Sequence, residues 1–263
     1  RFYVPAKMTG PDAMQEMTRL MKEVNRLLAT SQRGKDKLVD STVTAALMFS
    51  MKVLAAGNYN PPARINAALI LGRLDSRQAN TSRRQPPVPH LAALRPLTDL
   101  YADENNSDGL RVAALLGLKR QVILGLPQIP AEIRTELTTL MTALLDGDAP
   151  RQRSKRVHAY LQRYAVDILD RLRSKEDKGL GVKLISISTA PEQSGLIALY
   201  SASKIGSMGD SLKGQVADPE MVLESWARLA HTAFQSEVDR LQGLDRAVPS
   251  RTQPVKPADV LQP

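Results

Sequence analysis

The chain has 263 residues, a mass of 28.8 kDa and a formal net charge of +9. Hydrophobic residues make up 43% and charged residues 24% of it, which is typical of a globular protein and excludes a disordered, collagen-like or low-complexity chain. Aromatic residues reach only 4%. Because Ala, Leu and Met are frequent, the balance favours helices over the β-branched and aromatic strands of a sandwich or barrel.

Few residues in the chain are suited to metal or redox chemistry. Cysteine is absent, which excludes disulfides, zinc–thiolate sites, iron–sulfur clusters and a cysteine nucleophile. The three histidines, His90, His158 and His231, lie far apart and show no metal-binding spacing. We therefore expect neither a metal nor a cofactor.

Apolar runs such as 112–118 are much shorter than the roughly 18 residues of a membrane span, so no span is predicted. The chain begins with Arg1 instead of Met. The short apolar runs predict a soluble protein, and the start predicts that an upstream piece is missing. The compartment stays open between the cytoplasm and the periplasm, the latter after loss of an upstream signal peptide.

In the first third of the chain, residues 1–10 are expected to be extended. Apolar residues at three- and four-residue steps then predict helices over about 14–28 and 36–56. The second of these helices has a predicted core face of Leu38, Val43, Ala46, Leu47, Phe49, Met51 and Leu54. Pro61 and Pro62 fit the first turn of a third helix that continues over 63–74. Proline has no backbone N–H, and in the first turn of a helix that group has no intrahelical acceptor.

The rest of the chain continues mainly as helices. Residues 75–87 carry no apolar period and are predicted to be an exposed loop. Further helices are predicted over 88–103, 108–125, 130–146, 153–174, 192–208 and 219–242. Residues 182–187 alternate like a strand, although a short helix can also use that pattern. Four prolines in 243–263 predict an extended tail, so the fold class is all-α, with one helical domain over 11–242.

A weak internal repeat runs through these helices. Its first copy is Arg64-x2-Ala67-x3-Leu71, and further copies begin at Arg111, Gln162 and Ala198, at spacings of 47, 51 and 36 residues. Each copy falls on the second helix of a predicted helix pair. A small residue there lets the neighbouring helix approach closely, so stacked pairs bury a continuous core.

The segments 60–74 and 110–118 resemble the second-helix consensus of HEAT-like repeats, and 161–172 and 196–208 resemble it more weakly. On these residues the chain is similar to HEAT-like (armadillo-type) helical-repeat proteins, closest to those of planctomycete-type bacteria. The resemblance implies an α–α superhelix, a right-handed solenoid of four or five helix pairs. It also implies a non-enzymatic module that binds or scaffolds proteins. Some HEAT-like proteins are DNA glycosylases, which leaves an enzyme on the same fold as an alternative.

Basic residues are concentrated in one predicted helix and the turn before it. They are Arg151, Arg153, Lys155, Arg156, Arg163, Arg171 and Arg173, with His158, Tyr160 and Tyr164 among them. Such a strip suits the phosphates of a nucleic acid or another polyanion. A solvated helix face and a surface for an acidic protein are the other two interpretations.

Trp226 and the pair Tyr200 and Lys204 each have a functional and a structural interpretation. Trp226 lies in register with Val222 and Leu229 on the last helix, where it packs or anchors a partner. Tyr200-x3-Lys204 resembles the catalytic helix of short-chain dehydrogenases. That family needs a glycine-rich turn between a strand and a helix, which residues 1–175 do not offer, so we expect an ordinary i,i+4 pair.

Overall fold

The computed structural model describes residues 3–10, 13–33, 37–80, 82–174, 177–212 and 214–247. It is 76% helix, which confirms the all-α class predicted from the sequence. The helices within the described residues are α1 Tyr3–Thr9, α2 Ala13–Arg33, α3 Lys37–Ala56, α4 Pro61–Arg73, α5 Leu94–Ala102, α6 Asp108–Gly125, α7 Ala131–Asp146, α8 Lys155–Leu172, α9 Gly179–Thr189, α10 Gly195–Gly206 and α11 Pro219–Ala247.

The chain divides into two compact units, Arg1–Ser174 and Lys175–Pro263, whereas the sequence suggested one helical domain over 11–242. In the first unit α3 packs on α4, α5 on α6, and α7 on α8. The second helices also pack in series, α4 on α6 and α6 on α8. In the second unit α9, α10 and α11 each pack on the other two.

The repeat predicted from the sequence lies on the second helix of each successive pair, on α4, α6, α8 and α10. Its small positions Ala67 and Ala114 are fully buried, as predicted. Glycines allow the closest approach of these helices: a Cβ atom added to Gly72 would lie 2.5 Å from the Cα atom of Gly117. A contact this close to backbone cannot be relieved by a side-chain rotation, so α4 and α6 depend on both glycines.

Hydrogen bonds give the repeat a physical role at its first position. The Nε atom of Arg64 donates to the carbonyl of Ala55 near the end of α3, at 2.9 Å. Arg111 donates in the same way to the carbonyl of Tyr101 near the end of α5, at 3.0 Å. Carbonyls in the last turn of a helix lack intrahelical partners. The repeat arginine therefore caps the preceding helix of its own pair.

The third copy is shifted by one turn relative to the sequence alignment. The N-cap residues Asn60, Ser107 and Ser154 begin α4, α6 and α8 at a constant spacing of 47 residues. Four residues after the third cap stands His158, whose Nε2 atom lies 2.8 Å from the carbonyl of Gly147 after α7. His158 therefore occupies the position of Arg64 and Arg111. The Nε2 atom of Gln162 donates to the carbonyl of Leu145, two residues before Gly147, at 3.2 Å.

A small hairpin occupies the predicted loop. Strand β1 (Asp75–Arg77) pairs antiparallel with β2 (Val88–Pro89), and an isolated bridge joins Asn80 to Gln85. The buried carboxylate of Asp75 ties the hairpin to α6, because its oxygens lie 2.7 and 2.9 Å from Nη2 of Arg120. Burial raises the pKa of Asp75, and Arg120 opposes this rise.

Several sequence predictions need correction. The N-terminal segment is not extended, because Tyr3–Thr9 form a helix that buries Val4 and Met8. Of the two alternatives left open for residues 182–187, the structure has the helix, as part of α9. The last helix continues through Ala247, so 243–247 are helical, and 248–263 lie outside the described residues. Phe49, expected in the core, is 59% exposed.

The sequence analysis found no apolar segment long enough to span a membrane, but helix α3 is long and apolar enough. Its window Val39–Ala56 has a mean hydropathy of 1.3 and meets the length and composition criteria for a span, with 28% of the window buried. A core helix can pass the same test. In this structure α3 packs on α4 and buries Leu47, Met51 and Leu54.

Candidate functional site

The basic residues predicted to form one strip fall into two groups. Arg151, Lys155, Arg156 and Arg171 are exposed. The other three are engaged by neighbouring side chains: Arg153 with Asp108, Arg163 with Tyr160, and Arg173 with Asp170. The predicted strip is therefore reduced to four exposed cations, which we call the α8 strip.

Arg153 has a structural position at the junction of two helix pairs. Its Nη2 atom lies 2.7 Å from the carboxylate of Asp108 in the first turn of α6, and only 7% of its side chain is exposed. It immediately precedes the N-cap Ser154, as Asn106 precedes Ser107. Asn106 likewise contacts the preceding helix pair, because its side-chain oxygen accepts a hydrogen bond from Arg64 of α4 at 2.6 Å. Both residues thus join successive helix pairs.

A cluster of tyrosines and charges lies where α6 meets α8. The hydroxyls of Tyr160 and Tyr164 are 3.1 Å apart, with the rings edge to face. Lys119 of α6 pairs with the buried carboxylate of Asp167 at 2.6 Å, and its ammonium lies 5.7 Å from the Tyr164 ring centre. Burial and the hydrogen bond with Tyr160 raise the pKa of Tyr164 to about 12. The Tyr164 hydroxyl is therefore harder to deprotonate than that of an ordinary tyrosine.

Tyr160 is the aromatic residue of this cluster that faces solvent. Its side chain is 39% exposed, and the guanidinium of Arg163 lies 5.5 Å from its ring centre. At 100° per residue, Arg156, Tyr160, Arg163 and Arg171 project within an arc of about 80° around α8. Basic and aromatic groups therefore share one face of this helix.

Helices α3 and α4 form a pocket with α5. Its volume is about 180 Å³, and its lining includes Lys52, Arg64, Asp99, Asp103 and Asn106. Arg64 is already bonded to Ala55 and Asn106, and Asp99 is paired with Arg95 at 3.0 Å. Arg64, Asn106 and Asp99 are therefore already occupied by contacts within the protein. Within the described residues, no group of three or more His, Asp or Glu side chains is placed to hold a metal ion.

Trp226 joins two helices of the second unit. Its Nε1 atom donates to the hydroxyl of Ser188 on α9 at 2.9 Å, and its side chain is half-buried. This contact supports the packing interpretation of Trp226. Tyr200 and Lys204 lie one turn apart on α10, with the ammonium 5.6 Å from the ring centre, as expected for an i,i+4 pair.

The sequence interpretation missed an exposed apolar stripe on α11. Its members are Leu223, Phe234, Val238 and Leu241, and we call them the α11 stripe. Leu223 is 64% exposed and Phe234 is 74% exposed. Their spacing of eleven, four and three residues was visible in the sequence. The same spacing predicts a core face, however, so exposure could be recognised only in the structure.

Comparison with known proteins gives no relative from which a function can be transferred. No family model matches the chain, and no curated protein and no solved structure is significantly similar to it. Functional inference therefore depends on the surfaces described above.

Proposed function

We propose that this chain is a non-enzymatic, HEAT-like helical-repeat module that binds a protein partner. The arrangement of the first unit supports the repeat proposal. Its three helix pairs have N-caps at a constant spacing of 47 residues, and their second helices pack in series. Side chains at equivalent positions, Asn106 and Arg153, connect each pair to the one before. Such nearest-neighbour contacts are typical of a solenoid.

The α11 stripe is the observation that carries the binding proposal. Phe234, Val238 and Leu241 lie on one face of the helix and are 74%, 44% and 49% exposed. Isolated exposed apolar side chains are common, but an aligned set is typical of a protein-interaction surface. A helix of this kind inserts its apolar face into a groove on its partner. The proposed partner is therefore a protein with an apolar groove.

The enzyme alternatives have less support. A glycosylase-like site needs a buried carboxylate available for catalysis. The buried carboxylates of Asp75 and Asp167 each hold an ion pair, with Arg120 and Lys119 respectively. For a short-chain dehydrogenase, the strand content is also insufficient, because β1 and β2 together comprise five residues of the described chain.

Photo-crosslinking tests the proposed function. A photoreactive phenylalanine analogue is placed at Phe234 in the full chain, and crosslinked proteins from the native organism are identified by mass spectrometry. The matched control carries the analogue at Gln235, which is exposed one residue further along α11. We expect a protein that crosslinks at Phe234 and much less at Gln235.

The protein found in this way is then purified and its affinity measured directly. Phe234→Ala is expected to weaken binding at least tenfold, since an aromatic anchor in a groove contributes about 2 kcal/mol or more. Equal crosslinking at both positions, crosslinks to a second copy of this chain alone, or unchanged affinity of Phe234→Ala would contradict the proposal.

A further inference from the structure

The α8 strip is an exposed cationic surface, and two carboxylates on the same helix are already paired with other cations. Arg151, Lys155, Arg156 and Arg171 make no ion pair with any residue that the structure describes. Two carboxylates on the same helix, Asp167 and Asp170, are paired with Lys119 and Arg173. The four cations are therefore available for an external anion. From Lys155 to Arg171 the helix rises about 24 Å, which is long enough for several phosphates.

Tyr160 adds a feature that a purely electrostatic surface lacks. Its hydroxyl is held by Tyr164 at 3.1 Å, and Arg163 lies against its ring at 5.5 Å, so the ring has a fixed orientation. It remains 39% exposed and lies between Arg156 and Arg171 along the helix. An exposed ring among cations suits a ligand that carries both flat bases and phosphates.

We propose that the α8 strip binds single-stranded nucleic acid, separately from the protein partner proposed for α11. A base stacks on Tyr160 and the adjoining guanidinium of Arg163, while phosphates contact Arg156 and Arg171 on the same face and Arg151 and Lys155 near the start of the helix. Bases in a duplex are stacked on one another and offer no free face to Tyr160. A polyanion without bases has no group that stacks. The aromatic residue therefore favours a single strand over both.

The first experiment measures the electrostatic part of binding. The affinity of the full chain for a fluorescent oligothymidylate is followed by anisotropy between about 50 and 200 mM salt. Four neutralised phosphates predict a log–log slope near −3, from about −0.7 per phosphate on a single strand. The triple variant Arg151→Glu, Lys155→Glu, Arg156→Glu is expected to lose at least tenfold in affinity and to show a shallower slope.

Exposed cations on α2 supply a control with the same net charge. Arg19, Lys22 and Arg26 are exposed, and reversing all three lowers the formal net charge from +9 to +3, as the α8 variant does. We expect this control to lose much less affinity than the α8 variant. An equal loss in both variants would show a response to net charge alone and would overturn the proposal.

The second experiment measures stacking. Tyr160→Ala is expected to lower the affinity for the oligothymidylate about 5- to 150-fold without changing the salt slope, whereas Tyr160→Phe retains the ring and most of the affinity. Circular dichroism checks that both variants fold. The wild-type chain is also measured with a duplex of equal length and with heparin. Duplex or heparin binding as tight as that of the single strand, or an unaffected Tyr160→Ala variant, would overturn the proposal.

Discussion

At the scale of single residues, the small positions of the repeat lie buried where two helices meet. Ala67 and Ala114 are fully buried on α4 and α6, and Gly72 and Gly117 let the same two helices meet. Small residues at these positions set the distance between the helices. This is the packing that the sequence repeat predicted.

Ala67→Leu is therefore expected to destabilise the protein by about 1–3 kcal/mol, because the added atoms have no space between the helices. Urea denaturation followed by circular dichroism measures the change. Ala143→Leu on the exposed side of α7 is the control, with an expected effect within about 0.5 kcal/mol. Equal stability of the two variants would mean that the alignment of the best repeat copy is wrong.

His158 makes folding stability sensitive to pH. Burial lowers the pKa of His158, the nearby Arg153 and Arg111 lower it further, and the hydrogen bond to the Gly147 carbonyl acts in the opposite direction. Its buried Nδ1 atom has no hydrogen-bond partner within the described residues. A proton on Nδ1 would therefore add an unpartnered buried charge, so the folded state favours the neutral ring.

Because the folded pKa lies below the ordinary value of 6.5, the unfolded chain binds more protons as the pH falls through this region. The stabilisation is complete above about pH 6.5 and decreases below it, towards the folded pKa. We expect the Tm to fall between about pH 7.5 and 5.5, and to fall less in His158→Gln. His231→Gln, at an exposed position on α11, is the control. Identical pH dependence in all three proteins would refute this prediction.

At the scale of elements, the repeat arginines hold the first two helix pairs together. Arg64 caps α3 through Ala55 and contacts Asn106 before α6, so one side chain connects three helices. Asn106 in turn donates to the carbonyl of Leu100 in α5 at 2.9 Å. Loss of the guanidinium removes a donor from the Ala55 carbonyl and from the Asn106 side-chain oxygen, in a partly buried environment.

Arg64→Met keeps much of the side-chain length and removes the donors. It is expected to cost about 1.5–3 kcal/mol, the usual contribution of a hydrogen bond to a charged group. Thermal and urea unfolding measure the loss. Arg73→Met, at the exposed end of α4, serves for comparison and is expected to change stability little. A loss below about 0.5 kcal/mol in Arg64→Met would show that the cap has no energetic role.

At the scale of the whole molecule, helix content is the simplest measurable property. Helices make up 76% of the structure, and strands β1 and β2 add five residues. Far-UV circular dichroism should therefore report a predominantly helical protein with very little sheet. A measured sheet content above about 15% would contradict the repeat architecture, since ordinary globular proteins have about 20–25% strand.

Most helices were predictable because their signals are local. The predictions over 108–125 and 130–146 match Asp108–Gly125 and Ala131–Asp146 closely. A polar N-cap or a proline begins these helices, and an apolar period of about 3.6 residues sustains them. Tyr3–Thr9 and the hairpin of β1 and β2 lacked such signals. Short elements are stabilised mainly by the surfaces on which they pack.

The candidate surfaces were less predictable than the helices. The sequence grouped seven basic residues in one strip, yet Arg153 and Arg173 are engaged by Asp108 and Asp170. Asp108 lies 45 residues from Arg153, so no local pattern reveals their pairing. Conversely, the apolar period of α11 is typical of a core face, yet Phe234 on that period is 74% exposed. A period shows which residues share a face and does not show whether another helix covers it.

The sequence by itself determined the all-α class, the small buried positions Ala67 and Ala114, and the concentration of basic residues, because composition, helical period and local charge are properties of neighbouring residues. Only the tertiary structure decided which of those residues are exposed. It buried Arg153 at the junction of two helix pairs, left Tyr160 exposed beside Arg163 on α8, and left Phe234 uncovered on α11. Exposure depends on contacts between residues far apart in the chain, and those contacts exist only once the helices have packed.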